Sequence, residues 1–318
     1  MVGQRTLNPF ILVRIQVQQP NIKIANMNKK QSVALSSVFA SLVLTIIKLF
    51  VGLVTGSMGI ISEAAHSLLD LGAASLTFFA VRAGDKKADA DHHYGHEKIE
   101  SISALIETGL LFLTSAWIIY EAVKRLNTGK IEVEVTWYAF AVMIFSIIID
   151  YSRSRALKKV ADETKSQALE ADALHFSSDI LSSLTVIAGL IFVSFGFIKA
   201  DAIAAIIVSL FVLYTGYRLG KRTIDVLIDT VPSGLSEKIK DLILRTKGVN
   251  SIKRIRVRPA GITIFIDIAI TVNSKLSINK ANAIADKIEN KIKTSIPEAD
   301  VTIQIQPHAS SKQFIRNL

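Results

Sequence analysis

Cysteine is absent from the 318 residues, so disulfides and thiolate metal sites are excluded. Any metal must be held by His nitrogen and carboxylate oxygen. The H-E-x-x-H signature of zinc hydrolases is absent too: His96-Glu97-Lys98-Ile99-Glu100 lacks the second histidine, and no nucleophile–base motif stands elsewhere. The chain contains no internal repeat and no low-complexity tract. A secretory signal cannot be read, because the apolar run Pro9-Phe10-Ile11-Leu12-Val13 is cut by Arg14 and no small-residue cleavage site follows. Met27 opens Met-Asn-Lys-Lys before the first apolar block, which makes it the expected natural start.

The first two thirds are also short of charge. Half the residues are hydrophobic and the mean hydropathy is +0.40. The apolar residues form blocks near the roughly 20 residues that a helix needs to cross a bilayer core. Six spans are expected at about 33–56, 58–81, 99–123, 136–151, 168–197 and 201–219. The fourth is short and should continue as a basic helix through Arg153, Arg155, Lys158 and Lys159. The fifth has a polar first half, so hydropathy alone selects only 180–197.

Net charge is +10, but the basic residues cluster at the ends of the apolar blocks, where orientation signals belong, which argues against nucleic acid. With the N-terminus in the cytosol, cytosolic flanks carry fourteen Lys and Arg, among them Lys29, Lys30, Lys86, Lys87, Arg153, Lys158 and Arg222. The opposite side has four: Lys124, Arg125, Lys130 and Lys199. Both termini are therefore expected inside, in a multi-pass protein of the cell (plasma or inner) membrane.

The pattern changes after Arg222. Pro232-Ser233-Gly234 marks a linker, and Ser236 is the expected N-cap of a helix carrying Ile239, Leu242, Ile243 and Val249. Two alternating runs, 252–257 and 262–272, are joined by Pro259-Ala260-Gly261, followed by a helix at 279–292 and a strand at 301–305. The expected fold is a six-helix membrane domain plus a C-terminal cytosolic α+β domain of α-β-β-α-β order, ferredoxin-like or metallochaperone-like. Its expected divisions are an N-terminal tail (1–26), membrane domain (27–222), linker (223–231), cytosolic domain (232–308) and C-terminal tail (309–318).

The sharpest chemical signal is His66-Ser67-Leu68-Leu69-Asp70, echoed by His175-Phe176-Ser177-Ser178-Asp179. Residues four apart share a helix face, so two such faces offer two imidazoles and two carboxylates. Four N/O donors suit tetrahedral zinc, with cobalt a close competitor. An Asp in mid-membrane costs about 2.5–3.5 kcal/mol even on the permissive insertion scale, so two of them call for a cation, protons or a wet cavity. The plainer alternative is a pair of His–Asp hydrogen bonds that tie helices together. A second cluster, Asp89-Ala90-Asp91-His92-His93-Tyr94-Gly95-His96, lies in the turn between spans two and three; such a loop is as readily solvated as ligating. Glu100 and Glu107 share a face of span three, and Glu107 could face a cavity. Asp150 and Asp201, near span ends, read as interfacial or capping groups. Gly52…Gly56 and Gly216…Gly220 have small-xxx-small spacing.

Taken together, Ser62 to Asp70, Asp91 to Glu100 and Asp172 to Asp179 resemble the cation diffusion facilitator family, zinc/iron type, from Met27 to His308. The resemblance implies a homodimeric exporter in the lipid bilayer that exchanges a cytosolic divalent metal for protons. No organic cofactor is implied. It places the transport site on His66, Asp70, His175 and Asp179, and a loop site on Asp89, His92 and His96. It also pairs Lys98 with Asp229 as a charge interlock between helices and soluble domain. His at position 66, where some bacterial members have Asp, goes with Zn2+ preference in the family; Cd2+, Co2+, Fe2+ and Mn2+ are the competitors. Relatives with a cytosolic zinc cluster carry ligands where this chain has Lys253, Ala269, Asn282, Gln304 and Gln306, so its soluble domain is expected to dimerise without that cluster. Two other readings are a transport-silent scaffold on the same fold and an intramembrane metallohydrolase.

Overall fold

The computed structural model describes residues 27–56, 58–128, 137–194 and 200–308. Both expected tails, and Lys130 and Lys199 of the charge count, lie outside the described residues. Six long helices come first: α1 (Lys29–Thr55), α2 (Met58–Gly84), α3 (Lys98–Thr128), α4 (Trp137–Thr164), α5 (Gln167–Ser194) and α6 (Ala200–Leu227). The order α7 (Leu235–Leu244), β1 (Val249–Ala260), β2 (Thr263–Val272), α8 (Ile278–Ser295) and β3 (Ala299–Pro307) follows, which is the expected α-β-β-α-β. α6 runs past the expected boundary at 222 to Leu227.

The helical part is inverted relative to a water-soluble protein. Phe39, Ile46, Phe50, Leu53, Leu113, Trp117, Phe211 and Tyr214 are exposed, while Ser37, Ser41, Thr45, Lys48, Asp70, Glu107, Asp172 and His175 are buried. In lipid this is the favourable arrangement, since apolar side chains need no shelter and polar groups need partners. On α1 the buried Ser37, Ser41, Thr45, Lys48 and Gly52 form one stripe facing inward. Asn28 caps this helix by accepting from the Gln31 N–H at 3.0 Å.

By length and apolarity, four helices among the described residues qualify as membrane spans: α1, α2, α3 and α6. α4 and α5 complete the bundle. They bury Arg153, Asp172 and His175 inside it. α1 pairs with α2, α3 with α6 and α4 with α5. The Gly216…Gly220 spacing serves close packing, a Cβ at these positions coming 3.0 Å from Phe112 and 3.0 Å from Thr108. Of the other pair only Gly52 packs closely, 2.9 Å from Ile61, whereas Gly56 is the left-handed cap of α1 with nothing within 4 Å.

Two local expectations are corrected. Arg153 belongs inside the bundle, not on a flank. Its side chain donates to Ser37 Oγ at 2.8 Å and Ser41 Oγ at 2.7 Å, and its guanidinium lies 3.5 Å over the Phe176 ring. A long aliphatic stem lets a residue near a helix end turn its charge inward as easily as outward. Ser236 is not an N-cap: α7 begins at Leu235, capped by Gly234 with φ 76°. Its Pro232-Ser233-Gly234 turn positions the Gly234 carbonyl to accept from Lys238 N–H at 3.1 Å.

In the C-terminal domain β1 pairs antiparallel with β2, and β2 parallel with β3. Ile266, Ile268 and Ile270 of β2 meet Ile239 and Ile243 of α7 and Ile288 and Ile292 of α8 in one core. The parallel pairing demands a crossover, which α8 supplies.

Candidate metal centres

α2 and α5 bring the two H-x-x-x-D faces together. His175 Nε2 is 3.1 Å from Asp70 Oδ1 and 3.7 Å from Asp179 Oδ2. His66 Nε2 is 3.6 Å from Asp179 Oδ1 and 3.8 Å from Asp70 Oδ1. A tetrahedral zinc with arms of about 2.0–2.2 Å has ligand-to-ligand edges of about 3.3–3.6 Å, so these separations are close to those edges. Asp70 and His175 are buried, whereas the His66 side chain is 41% exposed. Asp179 Oδ2 is buried without a hydrogen-bond partner, which is the signature of an acceptor awaiting a cation or proton. The plainer alternative is present in one contact only: His175 Nε2 to Asp70 Oδ1 is a hydrogen bond, and the other three separations are longer than one.

Basic groups that the sequence reading did not single out lie beside these acids. Lys48, buried on α1, donates to Ser67 Oγ at 2.8 Å and lies 3.2 Å from Glu63 Oε2. Ser67 and Glu63 flank His66 on α2. Thr45 also binds this helix, donating to the Ser67 carbonyl at 2.9 Å. Arg153 lies 3.4 Å from Asp150, so Asp150 is an ion-pair partner inside the bundle and not an interfacial cap. The Asp201 side chain lies outside the described residues. For Lys48 the available signal was a single lysine within an otherwise apolar run, since such a residue faces the bundle interior.

The loop cluster also converges. Asp89 Oδ1 is 3.2 Å from His92 Nδ1, and Asp89 Oδ2 is 3.4 Å from His96 Nε2. The His92 and His96 rings lie 4.3 Å apart, and His96 Nδ1 is buried and unpartnered. Asp89 Oδ1 accepts from His92 N–H at 2.7 Å and from Asp91 N–H at 3.0 Å. Those bonds, the His92 N–H above all, hold the Asp89 carboxyl below its ordinary value. This carboxylate is therefore ionised at neutral pH.

The same loop grips the C-terminal domain. Tyr94 meets Phe265 edge to face at 5.0 Å, and the Arg258 guanidinium lies 3.6 Å over the Tyr94 ring. Glu97 accepts from Thr263 N–H at 3.3 Å and from Thr263 Oγ1 at 3.2 Å. Glu97 lies so close to Gly261 that a Cβ there would come 2.4 Å from its Oε2. Lys98 Nζ reaches Asp229 Oδ1 at 2.7 Å and the Leu227 carbonyl at 3.2 Å, which joins the start of α3 to the segment after α6. Asp229 sits at φ 61°, and this left-handed turn is what aims its carboxylate back.

In the C-terminal domain, the positions Lys253, Ala269, Asn282, Gln304 and Gln306 bring no ligand group together. Among the described residues, the groups of three ligating side chains are Asp89, His92 and His96, and His66, Asp70 and Asp179.

Residues 34–228 match the family described as cation efflux transmembrane domain, and residues 231–308 match the cation efflux protein cytoplasmic domain. The chain is 28% identical over 282 residues to the cation-efflux pump FieF of Cronobacter sakazakii, covering 88% of this chain and 94% of that one. It is 29% identical over 279 residues to FieF of Citrobacter koseri, with 86% and 90% covered. FieF of Yersinia pestis is 29% identical over 284 residues, with 87% and 92% covered. Among solved structures, a variant of the MamM CTD matches at 19% identity and TM-score 0.23, covering 23% of this chain and 92% of that chain. With most of its length matched by the membrane domain of one family, and the remainder by the same family's soluble domain, the chain belongs to the cation efflux, or cation diffusion facilitator, family of multi-pass membrane transporters.

Proposed function

We propose that this protein is a divalent transition-metal exporter that carries Zn2+ out of the cytosol in exchange for protons. The single observation that carries the reading is the cluster of His66, Asp70, His175 and Asp179, whose four His-to-carboxylate separations are 3.1–3.8 Å inside a membrane bundle. Two carboxylates and two neutral imidazoles around a divalent ion sum to zero charge, which suits a site of low dielectric. Two protons on the same four groups also sum to zero. Metal and protons therefore compete for one set of atoms, and each neutral loaded form can be re-oriented across the membrane. The relatives' name, cation-efflux pump, agrees with this direction of travel.

In this reading Asp89, His92 and His96 collect metal at the cytosolic face, with both termini inside. The membrane domain runs from 27 to the end of α6 at Leu227, 228–231 form the linker, and 232–308 a cytosolic domain that joins two copies into a homodimer. Lys98 and Asp229 lock the two parts of each copy together. Cd2+, Co2+, Fe2+ and Mn2+ are competing cargoes for the same nitrogen and oxygen donors.

The test is metal uptake into proteoliposomes under an imposed proton gradient, with each of the five metals, for wild type and Asp70→Ala. Gradient-dependent zinc flux that vanishes in the variant supports the reading. Zinc flux indifferent to the gradient refutes the exchange, and binding without flux in wild type leaves a scaffold built on the transporter fold.

A further inference from the structure

Two fully buried carboxyl groups have no task in the metal quartet. Glu107 on α3 is 1% exposed and Asp172 on α5 is 0% exposed. Glu107 Oε1 accepts from Thr77 Oγ1 and, at 3.1 Å, from Ser103 Oγ, while its Oε2 is unpartnered. Asp172 Oδ2 accepts from Ser37 Oγ at 3.2 Å, and its Oδ1 is unpartnered. The two groups act on each other electrostatically, and each acts on His175.

Chain direction fixes their depth. Asp172 precedes His175 by about one turn, and Thr77 follows Asp70 by about two. α5 comes up from Gln167 while α2 runs down to Gly84. Both offsets therefore lead away from the quartet towards the α2–α3 loop that carries Asp89, His92 and His96. Glu107 and Asp172 form a layer between the two candidate metal centres.

Two ionised carboxylates at this depth would be poorly tolerated. One intramembrane acid costs about 2.5–3.5 kcal/mol even on the permissive scale, and a second like charge raises the cost. Arg153 acts on Asp172, whereas the hydrogen-bond partners of Glu107 are two neutral hydroxyls. The charged neighbours to be reckoned with are Asp172 and His175 on α5, Asp70 two turns beyond Thr77 on α2, and Arg153 on α4. Glu107 touches none of the four proposed metal ligands through a hydrogen bond, and it joins no three-ligand group. A single proton resolves the arrangement. It removes the repulsion between the carboxylates and makes the lone Oε2 a donor, in the same layer as the lone acceptor Asp172 Oδ1.

We propose that Glu107 is a proton-holding carboxyl distinct from the metal ligands, set against the Asp172 carboxylate between the quartet and the loop side. It takes up and releases one proton through water on the loop side; only its O–H bond forms and breaks, and it binds no metal. Its part in transport rests on the proton-exchange reading above, but its protonation does not.

Infrared difference spectra of the full-length protein in lipid, uniformly labelled with 13C-glutamate or unlabelled, test the proton directly. A carboxylic C=O band that shifts with the label and disappears in Glu107→Gln is expected. A spectrum without such a band, or with one unchanged in the variant, overturns the proposal. In proteoliposomes with an internal pH dye, Glu107→Gln should keep zinc affinity within about threefold while releasing fewer protons per zinc and showing a flatter pH profile. Zinc affinity reduced tenfold or more would make Glu107 a ligand and overturn the proposal, as would an unchanged proton ratio. Wild type that moves zinc without protons refutes the exchange reading, and the infrared band then still decides the state of Glu107. The labelled wild type serves that purpose if the variant does not fold.

Discussion

Asp179→Asn changes an oxygen anion to a neutral amide at nearly constant volume, so it reports ligation and not packing. The carboxylate spans the two imidazoles: Oδ1 is 3.6 Å from His66 Nε2, and Oδ2 is 3.7 Å from His175 Nε2. Loss of a mere outer partner of a ligand costs 10–100-fold in affinity, as a rough scale. Loss of a charged ligand must exceed that, because the loaded site also goes from neutral to a net positive charge in a medium of low dielectric. The expectation is zinc affinity weakened at least about 100-fold, or about 2.8 kcal/mol. The assay is competition against a fluorescent zinc chelator in detergent, with Asp89→Asn in both proteins to silence the loop. Thermal unfolding of the metal-free proteins is the control. The variant should remain folded with similar stability, because the volume is nearly unchanged and Asp179 Oδ2 has no hydrogen bond to lose. An affinity within about threefold of the parent, in a folded variant, would refute the tetrahedral argument.

Arg153→Met removes the guanidinium from Ser37, Ser41 and Phe176 and leaves Asp150 without its cation; a loss of about 3–5 kcal/mol is expected, and unfolding in mixed detergent micelles that shifts by less than about 1 kcal/mol would count against it. Gly261→Ala should loosen the joint between loop and hairpin, because φ is +58° and the new Cβ meets Glu97. The αL strain of about 1–2 kcal/mol remains in Glu97→Ala, as does the 2.8 Å approach to the residue 97 Cβ, but the 2.4 Å contact with Oε2 does not, so a double-mutant cycle on loop-to-hairpin distances by spin labelling should reveal coupling between the two positions. For Asp89, depression of the folded value means that its turn is fully formed above the unfolded aspartate range, near pH 4, and is lost as pH falls through the folded value. The Asp89 side-chain carboxyl carbon should show its full protonation shift only in stronger acid, below about pH 4; a full protonation shift between about pH 7 and 5 would contradict the Asp89 cap.

The metal quartet was legible because helical spacing carries its geometry. Once His66 and Asp70 share a face of α2, and His175 and Asp179 share a face of α5, packing α2 near α5 leaves little freedom. The element order of the soluble domain was legible because two alternating runs around Pro259-Ala260-Gly261 mark a hairpin; the parallel pairing of β3 with β2 emerges only from the fold. What escaped depends on where long side chains turn. Arg153 stands among Arg155, Lys158 and Lys159 in the sequence, yet it alone points at the Phe176 ring. Lys48 is one charge in an apolar run, and only the neighbouring helix shows that it serves Ser67 and Glu63. Glu97 entered the reading as part of a failed hydrolase motif. Its partner Thr263 lies 166 positions away, a distance over which local patterns carry no information.

The grip of Glu97 on Thr263 has a mechanical consequence. β1 and β2 form a stiff ribbon whose tip touches the loop and whose other end, at Val249 and Val272, lies about 33 Å away at about 3.3 Å per residue. A tilt of about 5° about that far end swings the tip by about 3 Å on this rise. The tip bonds, at 3.3 and 3.2 Å, are already at the long limit of hydrogen bonding. Such a joint has almost no compliance. A rotation of that size would stretch both Glu97–Thr263 bonds beyond hydrogen-bonding distance, so the ribbon acts as a lever on this contact.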